Sequence, residues 1–137
     1  MILVDAGPLI ALFDRRDAAH RRCVETLKPI DEPMATTPPV LTEAFHLLNP
    51  SSAGALNLMD FISEGGLDVL FLNEDVLMRC FELMAQYADA PMDFADASLV
   101  AMAESHNSRK VFSIDRGDFA TYRIKRGHHY ITFDVLG

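Results

Sequence analysis

Four carboxylates, Asp5, Glu43, Asp96 and Asp115, occupy comparable places along this 137-residue chain. Asp5 ends the apolar run Ile2, Leu3, Val4, and Asp115 follows the β-rich run 111–114. Asp96 lies in the first turn of a helical pattern that Asp93 caps, and Glu43 sits within a helix whose neighbours are apolar nearly all round. In an open parallel sheet, strand ends and helix starts meet at the carboxyl edge, where ligands bind. Carboxylates gathered there repel one another and stay ionised together only around a cation; oxygen donors select hard Mg2+ or Mn2+. Such a site suits phosphoryl chemistry, because a bound cation lowers the pKa of water, orients it and offsets charge on phosphate.

Each acid taken singly has a plainer role. Asp96 favours a helix dipole by about 0.3–1 kcal/mol, Asp93 reads as a cap and Asp118 as a turn residue, Asp5 suits an Asx-turn, and Glu43 could pair with an arginine. Their combination on one sheet edge is what favours a site. Other chemistries lack their signatures: Glu43-Ala44-Phe45-His46 fits Glu-x-x-His once where a helical di-iron centre needs it twice, and His20, His106, His128 and His129 show no zinc spacing. Neither a dinucleotide nor a P-loop glycine motif is present, nor a serine nucleophile elbow.

The elements that must position these acids follow from local signals. Ile2, Leu3 and Val4, without polar alternation, suit a strand covered on both faces. Gly7-Pro8 opens a helix over 8–14, Asp17 caps another to residue 28, and residues 34–36 form a second strand. Thr37 and Pro38-Pro39 start a largely buried helix to residue 48, and 52–64 is a helix with Leu56, Met59, Phe61 and Ile62 inward. Residues 69–72 make the third strand, and Asn73 caps a helix to residue 88 with Leu77, Cys80, Phe81 and Met84 inward. The helix after Asp93 ends at Asn107-Ser108, and 131–133 gives a last strand. Strands joined through helices predict an α/β sandwich with a mainly parallel sheet.

Half of the residues are hydrophobic, which suits one domain over residues 1–137. Apolar runs fall short of the ~18 residues of a membrane span, and the N-terminal stretch is no signal peptide, so a cytoplasmic protein is expected. Cys23 and Cys80 read as reduced, buried thiols. The net charge of −8 argues against broad nucleic-acid binding. Even so, residues 109–129 carry six Lys or Arg against two acids, either a local basic rim or a solvated face.

Four stretches together carry a family resemblance: ILVDAGPLIALFDRRDAAH, TTPPVLTEAFHLL, YADAPMDFADASLVAMAE and VFSIDRGDF. In order and spacing they resemble PIN-domain proteins, most of all the single-domain bacterial VapC toxins. The resemblance implies a three-layer α/β/α sandwich and a ribonuclease in which Asp5, Glu43, Asp96 and Asp115 hold Mg2+ or Mn2+. It also implies that water attacks an RNA phosphodiester to leave 5′-phosphate and 3′-hydroxyl ends. Asp93 and Asp118 match auxiliary acids. A homodimer and a small antitoxin partner are implied as well. Ala6 replaces a hydroxyl residue usual after the first Asp, and Ser113 stands where Thr is usual but keeps the hydroxyl. Ser113, Arg116, Arg123 and Arg126 are the candidate substrate contacts. The competing expectation is a PIN-fold binding or regulatory module with little nuclease activity: retention of all four acids argues against it, and the acidic net charge argues for it.

Overall fold

The computed structural model describes all 137 residues, apart from the side chain of Arg116. β1 (Ile2–Val4) runs down the centre of a five-stranded sheet and is buried on both faces, with Ile2, Leu3 and Val4 each at most 1 % exposed. Successive strand side chains point to opposite faces, so burial of all three requires a helical layer on either side. The sheet order is β3-β2-β1-β4-β7, with β2 at Met34–Thr36, β3 at Asp68–Val69, β4 at Lys110–Phe112 and β7 at Asp134–Leu136. Every neighbouring pair is parallel.

The chain builds outward from β1 through β2 to β3, then returns to place β4 on the other flank of β1. The direction of winding therefore reverses between β1 and β4, which opens a crevice at their carboxyl ends. The helices that connect the strands are α1 (Ala6–Phe13), α2 (His20–Leu27), α3 (Pro38–Leu48), α4 (Ala53–Ser63), α5 (Glu74–Gln86) and α6 (Phe94–Ser105). Ser52, Asn73 and Asp93 cap α4, α5 and α6 by accepting a backbone N–H from the third residue on. α6 is the innermost helix, with Ala97 to Ala103 all buried. A two-pronged ion pair from Arg79 to Glu104, 2.8 and 3.1 Å, ties α5 to it. Gly54 lets α4 cross close to the end of α1, since a Cβ there would lie 2.4 Å from the Phe13 carbonyl oxygen.

Several elements depart from the sequence-based expectation. Asp17 does not cap α2; it closes the preceding turn on the Ala19 N–H, and the helix starts at His20 without a side-chain cap. β3 is an edge strand and pairs only through Asp68 and Val69, leaving Phe71 exposed instead of continuing to residue 72. In α3, Glu43, His46 and Leu47 are exposed, so this helix is half-buried despite its apolar neighbours. Of the residues expected inward on α4 and α5, Cys80 is buried and Phe61, Ile62 and Met84 pack against the core, whereas Leu56, Met59 and Phe81 face outward and Ala55, Leu58 and Leu83 are buried in their place. After β4 a short helix, α7 (Arg116–Thr121), precedes an antiparallel ribbon of β5 (Arg123–Arg126) and β6 (His129–Thr132). The expected last strand, 131–133, falls on the end of β6 in the ribbon, and β7, which joins the main sheet, follows it. Cys23 and Cys80 are buried and free. Among the described residues, no helix is long and apolar enough to cross a membrane.

A carboxylate-lined cleft as candidate metal centre

Asp5 leaves β1 at the reversal point and turns the chain into α1. Its backbone N–H donates to the Phe112 carbonyl (3.0 Å), extending the β1–β4 ladder by one bond. One side-chain oxygen caps α1 by accepting the Ala6 N–H (2.8 Å), and the other accepts the hydroxyl of Ser113 (3.0 Å). Ser113, fully buried at the end of β4, in turn accepts the Asp115 N–H (3.1 Å), so one hydroxyl holds the two strand ends in register. Asp115 caps α7 through the Asp118 N–H (3.4 Å). Asp93 caps α6 by accepting the Asp96 N–H (2.8 Å), which puts Asp96 in the first turn facing Asp5. Asp96 also accepts the hydroxyl of Tyr122 (2.8 Å) from a ring that is wholly buried.

Asp5, Asp93, Asp96, Asp115 and Asp118 line one cleft of about 620 Å³ together with Glu43 of α3 and Asp17. The lining, among the described residues, holds seven carboxylates and no Lys or Arg. The electrostatic consequence falls on Asp5, Glu43, Asp96 and Asp118. Burial, followed by the charges of Asp93 and Asp115, raises the pKa of Asp5 against the lowering effect of its hydrogen bonds. Asp96 is pushed up to about 7, chiefly by burial and then by Asp93, Asp5 and Asp118, although the Tyr122 hydrogen bond pulls the other way. Partial burial, then Asp5 and Asp93, raises Glu43, and burial followed by Asp115 raises Asp118.

The donor set is therefore all oxygen, multiply anionic and short of positive charge, which is the character of a site for a hard divalent cation. No thiolate or imidazole lines it. Among the described residues, no three His, Cys, Asp or Glu side chains stand as a ready coordination group. Asp5, Asp96 and Asp115 each engage a protein donor, but a carboxylate oxygen has two lone pairs and can serve a donor and a cation together. The residues present fit Mg2+ or Mn2+ by chemistry.

The six acids singled out in the sequence come together here: Asp5, Glu43, Asp93, Asp96, Asp115 and Asp118. The proposed basic contacts do not gather with them. Arg123 folds back onto the carbonyls of Ala120, Thr121 and Tyr122 at the end of α7. Arg126 bonds the Ser108 carbonyl, just before the amino end of β4 and so opposite the acids. The Arg116 side chain lies outside the described residues. Tyr122 is the residue that sequence reading missed; its spacing of three from Phe119 gave a weak helical hint in a run with no clear periodicity.

Comparison with known proteins agrees with this architecture. Residues 2–125 match the family model of the PIN domain. Ribonuclease VapC26 of Mycobacterium tuberculosis is 20 % identical over 124 residues, 89 % of this chain and 92 % of that protein. Among solved structures, the Mycobacterium tuberculosis VapC20 sarcin-ricin loop cleaving toxin superposes with a TM-score of 0.79 at 20 % identity, covering 86 % of this chain and 92 % of that one. A toxin-antitoxin complex from Klebsiella pneumoniae gives 0.69 at 20 % identity, over 88 % and 92 %.

Proposed function

The chain belongs to the PIN domain family, and on that premise we propose that it is a divalent-cation-dependent endoribonuclease, the toxin of a type II toxin-antitoxin pair. The observation that carries the reading is the convergence of Asp5, Glu43, Asp96 and Asp115 on one cleft at the reversal point of a parallel sheet. The relatives support the class: VapC26 is a ribonuclease, VapC20 cleaves the sarcin-ricin loop, and the Klebsiella structure is a toxin-antitoxin complex.

In this reading the four acids hold Mg2+ or Mn2+, with Asp93 and Asp118 as auxiliary ligands. Bound there, the cation supplies a water of lowered pKa and offsets the charge that develops on the phosphate. The chain's own residues do the rest. Tyr122 fixes one oxygen of Asp96 and leaves the other for the cleft. Ser113 keeps Asp5 and Asp115 at a constant separation. Glu43, on the cleft wall with its pKa raised by partial burial and by the charges of Asp5 and Asp93, completes the set of four. The substrate is RNA, and a small antitoxin is the protein partner.

A cytoplasmic homodimer of single-domain chains completes the proposal. The exposed Phe71, Met78, Phe81 and Phe94 on and beside α5 offer the apolar surface that a second copy would cover.

Calorimetric titration of Mn2+ into the protein at pH 8 tests the metal centre without reference to cleavage. Saturable binding that Asp5→Asn removes supports it. An absence of binding, or equal binding by the variant, moves the reading to a PIN-fold protein-binding module, which has no need of a cation.

A further inference from the structure

A cleft lined by seven carboxylates repels the backbone of RNA even when one divalent cation sits in it, so a positive surface elsewhere has to hold the substrate. The ribbon of β5 and β6 is such a surface. Residues 122–132, YRIKRGHHYIT, contain two Arg, one Lys and two His and no acid, in a chain of net charge −8. Gly127, at φ 61°, opens the tight turn between the strands.

The register sorts the ribbon's side chains into two faces. Arg123 pairs with Thr132 and Lys125 with Tyr130, so these four share one face; Ile124 and Ile131 share the other. Ile124 is fully buried and turns its face to the core. The opposite face is therefore outward, with Lys125 and Thr132 exposed and Tyr130 54 % exposed. Arg109 joins it, donating to the Thr132 carbonyl (2.8 Å) and hydroxyl (3.1 Å). Neither Arg109, Arg123 nor Lys125 is in an ion pair among the described residues. Glu104 accepts the backbone N–H of Lys125 and is itself paired with Arg79. An exposed aromatic ring flanked by unpaired cations is the composition that binds single strands, the ring stacking a base and the cations tracking phosphates.

The ribbon is also continuous with the cleft. Tyr122, whose hydroxyl reaches Asp96, immediately precedes β5, and Arg126 at the far end bonds the Ser108 carbonyl beyond the amino end of β4. A strand docked on this face runs from the cleft along the side of the domain.

We propose that the outer face of the β5–β6 ribbon is a binding surface for single-stranded RNA, on which Tyr130 stacks a base and Lys125 and Arg109 contact phosphates. It rests on the ribonuclease reading only for the choice of RNA as the ligand.

The test is fluorescence anisotropy of a labelled single-stranded RNA 12-mer with the full chain in EDTA, so that binding is read apart from cleavage. The expected result is that Tyr130→Ala and Lys125→Glu each weaken binding about 10-fold, within the range that loss of one stacked base gives. Lys125→Glu should also lower the slope of log affinity against log salt by about 0.7. Both side chains are exposed, so unchanged circular dichroism is required of each variant. Native protein that does not bind the RNA, variants that bind it like native, or an acidic peptide that competes it off while duplex and single-stranded RNA bind equally, would each overturn the proposal. Loss of binding in the ribbon variants stands even if the native protein cuts no RNA. Conversely, cation-dependent cutting with undiminished binding in the variants leaves the nuclease and removes the ribbon.

Discussion

The hydroxyl of Tyr122 donates to Asp96 across 2.8 Å from a ring with no exposed surface. The ring is fixed by edge contacts to Tyr87 and Phe119, each at 5.3 Å between centroids, so the hydroxyl has little freedom to turn away. A carboxylate expected to hold a cation is thereby pinned by a buried neighbour.

Tyr122→Phe keeps the packing and deletes the hydrogen bond. Stability should fall by about 1.5–3 kcal/mol, the range for a hydrogen bond to a charged group, and Mn2+ affinity by about 10–100-fold, the usual cost of losing a supporting partner. Because that bond holds the Asp96 pKa down, its loss should raise the pH at which Mn2+ binding reaches half its maximum. Calorimetry over a pH series reads both effects. Unchanged affinity and unchanged pH dependence would reduce Tyr122 to a packing residue.

The cation-free protein should be more stable in mild acid than above neutrality. Asp96 has its pKa raised from 3.8 to about 7, so between those values the folded state holds a proton that the unfolded state has released. Stability therefore declines as pH rises through this window, and Asp5, Glu43 and Asp118, raised in the same direction, steepen the decline. Thermal melts in EDTA from pH 5 to 8 should show a falling Tm that Asp96→Asn flattens and saturating Mn2+ removes. A Tm that rises with pH in EDTA would contradict the assigned electrostatics.

Gly54→Ala should destabilise the fold by about 1–3 kcal/mol, the cost of overpacking, because the new Cβ would lie 2.4 Å from the Phe13 carbonyl oxygen. The contact is backbone on one side and cannot rotate away. Urea unfolding gives the difference, and Mn2+ affinity of the folded variant should be unaltered, since Gly54 lies outside the carboxylate cleft.

The acids were legible in the sequence because the signals that position them are local. Asp93 three residues before Asp96, Asp5 before Gly7-Pro8 and Asp115 after a β-rich run each mark a chain boundary, and boundaries of a parallel sheet meet at one edge. What escaped was set by distant packing. The outward turn of Leu56, Met59 and Phe81 depends on which side of α4 meets α1 and α3 and which side of α5 meets α6, and an apolar residue on either side satisfies a helical period. The ribbon escaped for a related reason. Arg123, Lys125 and Arg126 break any alternation in β5, and its only wholly buried side chain, Ile124, is placed by contact with α6. The basic run was visible, but its separation from the acids was not, since Ser108 and Ser113 lie at opposite ends of one three-residue strand.

Cutting of RNA by the carboxylate cleft with a divalent cation can be read directly. It is tested most directly by incubating a mixed RNA pool with purified protein and Mn2+, alongside an EDTA control and the Asp96→Asn variant at equal circular dichroism. Cleavage products bearing 5′-phosphates are expected, abolished by EDTA and reduced by the variant at least as much as the about 10–100-fold that a supporting residue would cost. Cleavage that persists in EDTA, or that the variant matches, would contradict it.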